Sequence, residues 1–178
     1  TGVTNPLPER DLVRGCGAAI TKPEADGVAL TSLVAFLNTI DPAPPSSATL
    51  AQPGASLFAS VGCATCHRPS LRILGSTPPN PAAPTVLLTA FLYSDLLLHD
   101  MGPYLADGFE QGSATGSEFR TAPLWRVSER QQFLHDGRAA TILDAIRMHA
   151  GQATAAVDAF NALSVGDRQA VLDFLNGI

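Results

Sequence analysis

The 178-residue chain is 46% hydrophobic and 15% charged, with a net charge of −5, a composition that collapses into a compact globule rather than remaining disordered. Its basic residues are scattered and Lys22 is the single lysine. That excludes a nucleic-acid partner, whose phosphates require clustered Lys and Arg, and disfavours docking through a ring of lysines. No stretch reaches the roughly 18 to 20 unbroken apolar residues of a membrane span; the best candidate, 28–40, is interrupted by Thr31, Ser32, Asn38 and Thr39.

In chain order, residues 1–22 carry Pro, Gly and polar residues without periodicity. The opening Thr-Gly-Val, with no signal peptide in view, is the form expected of a mature chain or fragment whose leader is gone. A helix is predicted from Asp26 or Gly27 to Ile40, with Leu30, Leu33, Val34, Leu37 and Ile40 as an apolar stripe. "DPAPPSS" (41–47) then breaks the chain, because successive prolines lack amide hydrogens. We place a domain boundary there, with an N-terminal appendage over 1–45 and one domain over 46–178.

A second helix, Gly54 to Val61, leads directly into Cys63. Residues 68–84, rich in Pro and Ser, read as an extended loop. Residues 85–98 are strongly apolar, and their pattern favours a mixture with some helix. A glycine-rich loop follows. Thr141-Ile142-Leu143-Asp144 has capping-box form and Gly151 supplies a stop, and Ser164 to Asp167 opens a terminal helix whose apolar face is Val171, Leu172, Phe174 and Leu175.

The chemistry centres on "CATCH", residues 63–67. A zinc site needs four ligands, and His99, His135 and His149 are distant in sequence. A thioredoxin-like dithiol follows a strand in a βαβ setting, which this chain lacks. Cys-x-x-Cys-His matches covalent haem: two thiols join the haem vinyl groups and the next imidazole becomes the proximal iron ligand. We expect one covalent haem c on Cys63, Cys66 and His67, with a backbone carbonyl from the loop 68–84 orienting His67. Covalent haem implies assembly outside the cytoplasm, hence a periplasmic or otherwise exported protein. The third cysteine, Cys16, reads as a buried small residue or an unpaired thiol.

For the sixth ligand, His149 lies at helical spacing on the face of Ile142, Ala145 and Ile146. It is our first choice. Met101, in the loop "HDMGPY", is the alternative, and an open iron is the third. Met148 points about 100° away from that face.

The stretches "YSDLLLHDMGPYLADG", "SEFRTAPLWRV" and "FLHDGRAATILDAIRMHAGQA" resemble the C-terminal haem domain of the bacterial di-haem oxidoreductase family, peroxidases or thiol oxidoreductases. More distantly the chain is similar to di-haem cytochrome c peroxidases, from about Ala51 to Ile178. The resemblance implies that His149 stands where those enzymes place the distal ligand and that His135 lies close to the haem. Arg120, Arg126 and Arg138 fall in the matched segments as partners for the haem carboxylates. Such families carry a second haem in an N-terminal domain, whereas this chain has a single Cys-x-x-Cys-His.

The combined reading is a mostly α, cytochrome c-like helical domain with long loops around one covalent haem, ligated by His67 and His149. Its expected role is one-electron transfer to a redox partner protein or second haem domain, with no catalytic residue assigned. Two alternatives stand beside it: a peroxidase-like oxidoreductase with an open or switchable distal site, and a cytochrome subunit of a larger redox complex.

Overall fold

The computed structural model describes residues 27–37, 39, 44–50, 52–75 and 86–178. Cys16 and Ile40 lie outside them. The described residues form six α-helices and two two-stranded antiparallel sheets. Residues 27–37 and 39 belong to one unit, and the remaining described residues belong to a second.

In the first unit, α1 (Gly27–Leu37) matches the expected helix. Its stripe does not behave as a core face: Leu33, Val34 and Leu37 are exposed.

The second unit is built on α3 (Pro53–Ser60) and α6 (Val165–Asn176), preceded by the short α2 (Ser47–Leu50). Pro53 starts α3 at a position where a missing amide hydrogen is harmless. The two helices cross closely because Gly54 carries no side chain: a Cβ there would collide with the Ala170 carbonyl. Around this crossing Phe58, Tyr93 and Phe174 form a mutually packed trio, with ring centroids 5.5 to 6.3 Å apart. Phe160, Val127, Val171 and Leu175 complete the core. The terminal helix is fastened as its sequence suggests, with the Ser164 hydroxyl accepting from the Asp167 amide at 3.1 Å.

Two expectations need correction. Part of the supposed loop 68–84 is a strand, β1 (Leu71–Gly75), and the segment expected to hold some helix opens with β2 (Val86–Ala90). The pair is antiparallel, Leu71 facing Ala90 and Leu74 facing Leu87. β-Branched and apolar residues in short runs fit a pleated ribbon as well as a helix, and pairing decides. A second ribbon, β3 (Leu98–Asp100) with β4 (Glu118–Arg120), sets His99 opposite Phe119. The architecture is therefore helical with two β-ribbons rather than plainly all-α. Helices α4 (Ile142–Met148) and α5 (Thr154–Ala162) precede α6 in the chain, and α5 carried no sequence expectation.

Candidate haem site

Two residues past the end of α3 stands Gly62, whose φ of 97° is a left-handed turn natural to glycine. The chain then winds through one 3₁₀ turn, Cys63–Thr65, and the His67 amide closes back on the Cys63 carbonyl at 2.9 Å. This tight turn holds both thiols and the imidazole at the rim of one cavity. A second segment, 93–95, is stitched to it. The Ser94 amide donates to the Arg68 carbonyl at 2.9 Å and the Asp95 amide to the Cys66 carbonyl at 2.8 Å.

His67 Nδ1–H donates to the Tyr93 carbonyl at 3.1 Å. The orienting acceptor thus comes from residue 93, not from the loop after the motif. The reason is local: residues 71–75 are taken up in a ribbon with β2, while the 93–95 stitching returns the chain beside His67. With Nδ1 committed, Nε2 is left available. Burial pulls the His67 pKa down to about 4, against the opposing effect of the Tyr93 bond, so the ring is neutral at physiological pH and suited to ligation.

Across the cavity, Thr141 caps α4, its hydroxyl accepting from the Asp144 amide at 3.0 Å. The helix stops at Met148, and His149 is its C-cap with extended backbone, not a mid-helix residue. His149 Nδ1–H donates to the Ala145 carbonyl at 2.6 Å, again leaving Nε2 available. Burial lowers its pKa as well. The two imidazole centroids lie 6.4 Å apart, with the rings tilted by 56°. Two imidazoles on opposite sides of one metal, each bonded at about 2 Å, place their centroids about 6 Å apart.

The cavity that both rings line measures about 510 Å³, within the range of small-molecule and cofactor sites. Its walls are mostly apolar: Phe58, Val61, Leu105, Val127, Ile142 and Ile146. The donor set fits a haem attached through two thiols. Burial pushes the Cys63 thiol up to about 11, and burial followed by the nearby Asp95 charge raises Cys66, so both persist as thiols at neutral pH.

Among the other predicted residues, Met101, Arg120 and His135 line the same cavity. His135 stacks on Phe119 at 4.0 Å, and this pair forms a flat aromatic wall. Arg126 and Arg138 do not line it: Arg126 pairs with Glu129 on the surface, and Arg138 binds Asp136 and the Tyr104 carbonyl. Arg130 lines the cavity instead, donating to the Pro123 carbonyl at 2.7 Å. Trp125 is half-buried and outside the core cluster.

Sequence reasoning left His99 and Asp95 without a role. His99 Nε2–H donates to Asp95 Oδ2 at 2.9 Å, while its Nδ1 lies 3.0 Å from Gln152 Oε1 and 3.8 Å from Cys66 Sγ. Burial opposes ionisation of Asp95, but hydrogen bonds from the Leu97 amide, Thr121 and His99 outweigh it and hold the carboxyl below its ordinary range. Among the described residues no helix is long and apolar enough to cross a membrane.

A family model described as "Di-haem oxidoreductase, putative peroxidase" matches residues 13–178. Neither the comparison with curated proteins nor that with solved structures gives a match.

Proposed function

Because the chain belongs to the di-haem oxidoreductase family, we propose that the cavity holds one haem c, joined through Cys63 and Cys66 and ligated by His67 and His149, for one-electron transfer. One observation carries this reading: the two imidazole centroids lie 6.4 Å apart with both Nδ1 atoms committed to backbone carbonyls. Bound there, haem supplies one-electron redox chemistry at its iron.

The chain's own residues supply the rest. The Tyr93 and Ala145 carbonyls fix each ring's tautomer and orientation and make the imidazoles better donors. The apolar walls exclude water, and Arg120 and Arg130 offer guanidinium partners for the haem carboxylates. The expected setting is an exported protein handing electrons to a partner protein or a second haem domain.

A second reading, a peroxidase-like site whose distal ligand departs, is favoured by the position of His149 at a helix end rather than within a helix. Spectra of the ferric and ferrous protein decide between them. Bis-histidine ligation gives a low-spin spectrum without the near-infrared band of methionine-bound iron. A high-spin spectrum that shifts on adding peroxide establishes the second reading, and the near-infrared band replaces His149 with Met101.

A further inference from the structure

Cys66 and Cys63 sit in unlike surroundings. Cys66 Sγ has an imidazole nitrogen, His99 Nδ1, at 3.8 Å, whereas Cys63 has no side-chain partner of this kind among the described residues. Asp95 approaches His99 through the other ring nitrogen, Nε2, at 2.9 Å. The three donor atoms are close enough to suggest a shared metal ion. However, cysteine and carboxylate address opposite nitrogens of one ring, which is the layout of a relay: nucleophile, base and the acid that orients the base.

The geometry points to His99 as the base that takes the Cys66 thiol proton while Cys66 joins a haem vinyl group, an inference that rests on the haem reading above. The thiolate, not the thiol, is the nucleophile. In this step the Cys66 S–H bond breaks and its proton passes to His99 Nδ1. The sulfur forms a bond to one vinyl carbon, the vinyl π bond breaks, and a proton is returned to the other vinyl carbon. The sum is addition of S–H across C=C, and no oxidant or reductant is consumed.

The surroundings of His99 match the state after proton uptake. Once Nδ1 carries a proton it donates to Gln152 Oε1 at 3.0 Å, while Nε2–H donates to the Asp95 carboxylate. Both N–H groups of the imidazolium then have acceptors already in place, and such preorganised stabilisation is how a positioned base works. The Asp95 side chain is 7% exposed and its own amide is fixed on the Cys66 carbonyl, so acid and cysteine cannot drift apart.

The test separates the two cysteines. Reduced, haem-free full-length chain is mixed with ferrous haem b, and covalent haem is followed by its retention through acid–organic extraction and by the mass of the peptide bearing residues 63–67. Cys63→Ala leaves Cys66 as the motif's one thiol, and Cys66→Ala leaves Cys63; Cys16→Ala is carried in every variant so that only the motif can attach haem. Adding His99→Gln to Cys63→Ala should slow attachment about 100-fold, the lower end of what a positioned base contributes; adding it to Cys66→Ala should leave the rate within about twofold. Asp95→Asn should slow Cys66 in the same direction. Equal slowing at both cysteines, or none at Cys66, overturns the role of His99 while haem binding stands. If the unsubstituted chain takes up no haem by its visible spectrum, the haem reading falls and this inference with it.

Discussion

Replacing Ser94 by alanine tests the joint that carries the site. Ser94 is fully buried; its hydroxyl donates to the Thr121 carbonyl at 2.7 Å and accepts the Leu96 amide at 2.9 Å. Removing it strands a buried carbonyl, worth about 1–3 kcal/mol, and releases an amide at a more exposed position, worth about 0.5–1.5 kcal/mol. The Leu96 amide also belongs to a residue at φ 60°, a left-handed conformation that leucine holds only under constraint. The expected loss is about 2–4 kcal/mol, read as a fall in the urea midpoint at unchanged slope. Ser128→Ala, at an exposed position, should stay within about 0.5 kcal/mol. The neighbouring Tyr93 carbonyl orients His67, so in the haem-loaded protein a loosened joint weakens that bond, makes the imidazole a poorer donor and moves the midpoint potential upward. A stability change below about 0.5 kcal/mol would refute the claim that residues 93–96 are held by this hydroxyl.

Gly54→Ala, which in an open helix would stabilise by roughly 1 kcal/mol, should instead destabilise by about 1–3 kcal/mol in the same denaturation assay, because the new methyl meets the Ala170 carbonyl. The haem-free chain should lose stability as pH falls from about 6.5 towards 4. His67 has its folded pKa lowered to about 4, so the unfolded chain binds the extra proton in that window. The contribution is on the order of 3 kcal/mol, and His67→Gln should flatten the pH profile there. With haem bound, His149→Met should introduce the near-infrared band and raise the potential, while Met101→Leu should leave the spectrum unaltered; the opposite pattern would make Met101 the ligand.

What the sequence made legible depended on how local the signal was. Cys63, Cys66 and His67 lie in one five-residue motif, and Thr141 and Ser164 announce their helices through an acid three residues on; all of these are local signals. The strands were less readable because a five-residue apolar run has no period long enough to separate strand from helix. The acceptor for His67 is a backbone carbonyl, which any residue at position 93 would supply, so no side chain advertised it. His99 reaches Cys66 across 33 residues and Gln152 across 53, contacts created by the tertiary fold rather than by spacing. Arg126 and Arg138 matched by segment, yet each found an acidic partner on the surface first, and Arg130 stood nearer the cavity.

The same stretch that orients His67 also braces the segment bearing His149, and Gly151 is where that can be tested. Tyr93 and Asp95 hold the motif of residues 63–67, while His99 holds Gln152 and the Asp100 carbonyl lies directly beneath Gly151. Gly151 has φ 55°, and a Cβ there would collide with the Asp100 carbonyl. Gly151→Ala therefore faces a left-handed backbone, at about 1–2 kcal/mol, together with a clash that only separation of residues 149–152 from residues 100–102 relieves. His149 moves with that segment and His67 does not. In the haem-loaded variant the thioether bonds should persist, the high-spin fraction should rise, and added imidazole should restore the low-spin spectrum by occupying the vacated position. A spectrum identical to that of the unsubstituted protein would show that the Asp100–Gly151 contact does not govern His149. A loss of covalent haem would show that the brace acts on the proximal motif instead.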